Sequence, residues 1–201
     1  MKEIRLLKPD EIDVRVSNSV PEGVTLILYK DARCDMAILD ETFGPMNWQK
    51  TYSRNNVNCI LSIWDEDKKQ WIAKEDAGSA GNYERDKSLA SDSFKRAAVA
   101  WGIGRELYTS PTLFFPAKLL KNFNGERCLD RFVITNVDYD NRCIVSVNIK
   151  NITSGAEINV SENRIKVITY PNTATDNSAT PAAQPVTENT KVDVENHLPF
   201  D

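Results

Sequence analysis

The residues best suited to chemistry lie in one run, Ser91-Asp92-Ser93-Phe94-Lys95-Arg96-Ala97-Ala98-Val99-Ala100-Trp101-Gly102-Ile103-Gly104. At helical spacing Phe94, Ala97, Ala98 and Trp101 share one apolar face, and the Lys95-Arg96 pair projects to the side. Paired cations on a helix flank suit a polyanion, because Lys and Arg neutralise phosphates without reading sequence. Arg85 and Lys87 extend the same charge, and Ser88, Ser91 and Ser93 are candidates to hydrogen-bond phosphate oxygens. On composition alone, a solvated helix face is the competing reading.

Other chemistries find little support. The chain lacks a Gly-x-x-x-x-Gly-Lys-Ser/Thr phosphate loop. Gly102-Ile103-Gly104 has no third glycine and closes a helix, where the partial charge is negative and unsuited to phosphate. Asp67-Lys68-Lys69 has the letters of a Mg²⁺-dependent nuclease but falls in an expected hairpin turn. The single histidine, His197, stands four residues before Asp201, so the folded body has no imidazole for a Ser-His-Asp or Cys-His site. Cys34, Cys59, Cys128 and Cys143 lack zinc-knuckle spacing and are expected to be reduced, buried and structural. No cofactor is implied, and no enzyme activity is expected.

The chain has 201 residues, of which 41% are hydrophobic and 27% charged, as in a soluble globular protein. No apolar run is long enough for a membrane span, and Met1 to Arg5 leads into no secretory signal. The expected location is therefore cytoplasmic. The net charge of −4 is unevenly placed: residues 1–169 hold 24 basic and 24 acidic side chains, while residues 170–201 hold one Lys and five acids. A neutral body can still carry a basic stripe.

The elements that must hold the Lys95-Arg96 run follow from periodicity. Residues 1–28 read as irregular, apart from the strand-like Val24-Thr25-Leu26-Ile27-Leu28. Tyr29 to Phe43 is helical, with Ala32, Met36, Leu39 and Phe43 on one face, and Gly44-Pro45 ends it. Trp48 to Ser53, Val57 to Trp64 and Gln70 to Lys74 read as a three-stranded meander. A glycine-containing loop, Ala77 to Asn82, leads into a long helix from Asp86 to about Leu107. Pro111 and Pro116 mark a connection. Leu129 to Val137 and Cys143 to Ile149 form a hairpin, and Glu157–Val160 with Arg164–Ile168 a shorter one. From about Tyr170 the composition is that of a disordered acidic tail. The expected class is α+β, with an antiparallel meander packed on a long helix. The domain is residues 1–169, with its core at 29–110, an additional β-rich part at 111–169 and the tail at 170–201.

Three pieces of this sequence resemble the Rad fifty-two/twenty-two family of single-strand annealing proteins and its phage (Sak-type) counterparts. The first is Asp92-Ser93-Phe94-Lys95-Arg96-Ala97 running to Trp101-Gly102. The second is Asp40-Glu41-Thr42-Phe43-Gly44, followed by Trp48. The third is the turn Glu75-Asp76-Ala77-Gly78-Ser79-Ala80. The likeness covers residues 29–110. The loop after Gly78 is shorter than in the eukaryotic proteins, and the basic residues that precede the family's large apolar residue are mostly Ser and Asp here.

The resemblance implies the family's annealing fold, assembled as a closed ring of roughly ten subunits, with single-stranded DNA in a basic groove. It carries backbone contact onto Lys95 and Arg96, with Arg85, Lys87, Lys50 and Arg54 as further groove residues. Lys50 lies between Trp48 and Tyr52 in sequence and is expected to face away from them. Trp48 and Trp101 either stack on bases or pack in the core. Lys30 and Arg33 are expected at the surface. The implied function is ATP-independent annealing of complementary strands in homologous recombination and repair, in a phage-infected bacterial cell. The alternatives are a protective single-strand binding protein without annealing activity, a metal-dependent nuclease, and an assembly protein that uses the fold only to oligomerise.

The terminus Asn196-His197-Leu198-Pro199-Phe200-Asp201 resembles the tip of bacterial single-strand binding proteins. That likeness implies a replication or repair partner held through Leu198, Pro199 and Phe200. A solubilising tail is the alternative.

Overall fold

Val14-Arg15-Val16 alternates apolar and polar residues and opens strand β1 (Asp13–Val20), where an irregular chain was expected. The alternation is short and its polar partners are many, which hides it in sequence. A tight turn leads to β2 (Gly23–Tyr29), the expected apolar run. Then follow α1 (Ala32–Phe43), β3 (Trp48–Ser53), β4 (Asn58–Asp65), β5 (Gln70–Ala77) and α2 (Arg85–Trp101). The rest is β6 (Leu113–Pro116), β7 (Phe132–Asp140), β8 (Cys143–Asn151), β9 (Glu157–Ser161) and β10 (Arg164–Thr169).

This computed structural model describes residues 2–79, 85–162 and 164–171, with Arg85 described by its backbone alone. Among them the architecture is α+β, with two α-helices and antiparallel pairing. No helix of the described residues is long and apolar enough to cross a membrane. Leu198, Pro199 and Phe200 lie outside the described residues.

The chain divides into two units, Met1–Asp13 with Leu28–Thr109, and Val14–Ile27 with Ser110 onward. In the first, Asp31 caps α1 by accepting from the Arg33 N–H at 2.6 Å. The helix ends where the Gly44 N–H returns to the Asp40 carbonyl at 2.9 Å, with Pro45 next. The sheet order is β3-β4-β5. Its register pairs Trp48 with Ile63, Lys50 with Leu61 and Tyr52 with Cys59, then Ile63 with Ile72, Leu61 with Lys74 and Cys59 with Asp76. Directly paired residues share a face, so one side of the sheet carries these nine residues, and α2 covers it. The expected meander and its docked helix are both present. The helix stops at Trp101, short of Leu107, because Gly102 and Gly104 take positive φ, and a 3-10 turn, Arg105–Thr109, follows.

In the second unit, β1, β2 and β6 form one sheet and β7 to β10 another, in the order β10-β9-β8-β7. Both expected hairpins of the larger sheet are found. β6 was read only as a proline-marked connection, since four residues carry too little pattern. A buried polar network braces the end of the larger sheet. Asp130 accepts from the Asn151 side chain and the Lys121 N–H, both at 2.7 Å, and from the Asn122 N–H at 2.9 Å. Its charge is thus met by donors on all sides. The cysteines depart from expectation: Cys59 is buried, Cys34 and Cys128 are half-buried, and Cys143 is exposed where β8 leaves its turn.

Candidate nucleic-acid interface

Helix α2 presents its basic residues because its other side is locked to the sheet. Phe94 is 1% exposed and stacks on Trp48, with ring centroids 6.2 Å apart and 20° between planes. Trp101 is buried and donates its indole N–H to the Leu61 carbonyl at 3.0 Å. Of the two readings offered for these tryptophans, Trp101 shows core packing, while Trp48 is half-buried with its ring against Phe94. Ser93 is likewise taken from the phosphate candidates. It is fully buried and donates to the Asn56 carbonyl at 3.1 Å.

Gly78 and Ser79, which follow β5, sit against α2. A Cβ at Gly78 would lie 2.9 Å from the Ser93 Cα and 3.0 Å from the Leu89 carbonyl oxygen, so only glycine lets the chain pass there. The Ser79 N–H then donates to the Asp92 carboxylate at 2.9 Å. The Trp48 indole donates to Asp40 at 2.7 Å. The three motif pieces are therefore joined to one another: Asp40 to Trp48, Trp48 to Phe94, and the Gly78 turn to Asp92.

The candidate basic residues fall on different sides of α2. Lys95 is half-buried on the side of α1, close enough to favour the charged form of Asp35. Arg96 is exposed on the opposite seam and pairs with Asp76 of β5 at 3.3 Å. Such an exposed pair is weak. Lys50 corrects its expected orientation. It shares the face of Trp48, as a period of two requires, and its ammonium lies 4.1 Å over the Phe94 ring. Arg54 is exposed in the β3–β4 turn, where Arg54, Asn55 and Asn56 all have positive φ. The Ser93 bond to Asn56 docks that turn on α2. Lys87 is exposed on the first turns of α2. Arg85 opens the helix, and its side chain lies outside the described residues.

Lys30 is not at the surface as expected. It is 4% exposed and ion-paired with Asp35, which is fully buried. Burial pushes the Asp35 carboxyl up to about 6, against the pull of Lys30 and Lys95, and its second oxygen has no hydrogen-bond partner among the described residues. Gly104 makes room for this pair, since a Cβ there would lie 2.6 Å from the Lys30 Cδ. Burial also raises the Cys34 and Cys59 thiols, to about 12 and about 11, which keeps both protonated near neutral pH.

A hollow of about 200 Å³ in the first unit is walled by Phe43, Trp64 and Trp101 and rimmed by Asp65, Glu66 and Asp67. That rim has the wrong sign for a phosphate backbone. Asp67-Lys68-Lys69 sits in the β4–β5 turn as expected, with Asp65 accepting the Asp67 and Lys68 N–H groups at 3.0 and 3.1 Å.

Sequence reasoning missed two cations at the end of α2. Lys74 donates to the Ala100 carbonyl at 2.8 Å and lies 4.5 Å over the Trp101 ring. Arg105 donates to the Val99 and Ala100 carbonyls, both at 3.1 Å. The available signal was Lys74 standing two residues before Asp76 on one face of β5. No family model, curated protein or solved structure matches this chain.

Proposed function

We propose that this protein binds single-stranded DNA through α2 and anneals complementary strands without a nucleotide. One observation carries the reading: Phe94 and Ala97 are anchored in the core on either side of Lys95 and Arg96, which leaves Arg96 exposed and Lys95 half-exposed on the two flanks of the helix. The motif letters that resemble the Rad fifty-two/twenty-two family are thereby residues with mutual contacts, which supports the resemblance. Phosphate neutralisation gives sequence-independent, salt-sensitive binding. Duplex formation is itself downhill, so a protein that holds strands with bases exposed needs only to lower the cost of their encounter. Assembly into a ring, which the resemblance implies, turns a few cations per subunit into a continuous belt on a neutral body.

The test is pairing of two complementary oligonucleotides in EDTA without nucleotide. Acceleration over the spontaneous rate supports annealing. Tight binding that slows pairing replaces it with a protective coat, and Mg²⁺-dependent cleavage replaces it with a nuclease.

A further inference from the structure

We propose that Lys74 and Arg105 form a second phosphate-binding step beside Arg96, so that the single strand follows the seam between α2 and β5. The proposal rests on the single-strand-binding reading above.

Both cations reach the same acceptor. The 2.8 Å bond from Lys74 and the 3.1 Å bond from Arg105 to the Ala100 oxygen hold their nitrogens within about 5.9 Å of each other. Neither has a carboxylate partner among the described residues. The end of a helix offers only about half a negative charge against these two whole positive ones. The surplus is open to solvent, because Lys74 and Arg105 are both exposed. Each also keeps unused donors. Lys74 has three N–H bonds and Arg105 five, of which the carbonyls take few, and phosphate oxygens accept charged donors strongly.

The seam continues in line. Ala100 follows Arg96 by four residues, so Arg96 stands about 6 Å up the same helix face. Asp76 lies two residues from Lys74 on one face of β5 and holds Arg96. Three cations and one carboxylate thus run along the seam, with Arg96 about one helical turn from the Ala100 carbonyl that the other two share. The buried Trp101 ring beneath Lys74 fixes where that ammonium sits.

The experiment uses the full chain and a Lys74→Gln/Arg105→Gln variant, which keeps a donor for each carbonyl and removes both charges. Fluorescence anisotropy with a labelled oligothymidine is followed across a salt series. Losing two phosphate contacts should flatten the slope of log K against log salt by about 1.4 and weaken binding about 25-fold at 0.1 M salt. Parental slope and affinity in the variant would overturn the proposal while leaving the α2 reading intact. Absence of binding by the parent would overturn both.

Should the variant fail to fold, acetylation of Lys74 in the parent decides. Protection by the oligonucleotide, and not by inorganic phosphate at equal ionic strength, is the expected result. Equal acetylation with and without oligonucleotide, or equal protection by inorganic phosphate, would overturn the proposal.

Discussion

The Trp48 ring stacks on Phe94 at 6.2 Å while its indole N–H donates to Asp40 at 2.7 Å. One side chain thus ties the end of α1, strand β3 and the middle of α2. Phe94→Ala should empty a fully buried site and cost about 3–5 kcal/mol of stability, read from urea or thermal melts. Trp48→Phe keeps the stack and loses the bond to Asp40, so about 1 kcal/mol is expected. A Phe94→Ala variant as stable as the parent would contradict this account of how α2 is held.

Two glycines are fixed by their surroundings. At Gly104, φ is +69° and a Cβ would strike Lys30, which is itself buried. At Gly78, the obstruction is the backbone of α2. Alanine at either position should destabilise the protein by about 2–4 kcal/mol, combining backbone strain or displacement with overpacking. Gly102 also has positive φ, but a Cβ there meets nothing within 4 Å. Gly102→Ala should therefore cost less than Gly104→Ala in the same melts.

Asp35 gives a pH dependence whose sign can be worked out. Its folded carboxyl titrates at about 6, above its ordinary value of 3.8, because burial outweighs the attraction of Lys30. The folded state therefore holds the proton more tightly, and this group's contribution to stability falls as pH rises from about 4 to 6. Asp35→Asn removes that titration and leaves Lys30 buried without its carboxylate, so it should be less stable than the parent throughout. The parent's margin should widen on acidification from pH 6 to pH 4 in paired melts. A margin that narrows would mean the Lys30 attraction dominates.

Asp76 holds Arg96 in an exposed 3.3 Å pair, so on the proposed reading it competes with a DNA phosphate. Asp76→Asn keeps an acceptor for the Ala77 N–H, which Asp76 now takes at 2.7 Å, and removes one negative charge from the seam. Single-strand affinity at low salt should rise about threefold, in keeping with the small worth of such pairs. Weaker binding would show that Asp76 orients Arg96 for DNA.

The long elements were legible because their periods are strong. Met36, Leu39 and Phe43 mark α1, and Phe94, Ala97 and Trp101 mark α2, by spacing alone. The meander was legible from β-branched and aromatic runs between polar turns. β1 and β6 were not, because each is stabilised by its neighbours in a sheet more than by its own pattern. The orientation of Lys50 was readable in principle from a period of two, which sets it beside Trp48. The burial of Lys30 was not, since it depends on a hollow left by Gly104, more than seventy positions away. The meeting of Lys74 and Arg105 at Ala100 was likewise invisible: only the packing of α2 on β5 brings them together.

The most direct test of the central claim is the pairing rate of two labelled complementary oligonucleotides in EDTA, without nucleotide, for the parent and a Lys95→Ala/Arg96→Ala variant across a salt series. The account predicts that the parent accelerates pairing, that salt suppresses the effect, and that the variant, folded by its melt, loses most of it with a shallower salt slope. Pairing no faster than the spontaneous rate, or a variant as active as the parent, would contradict it.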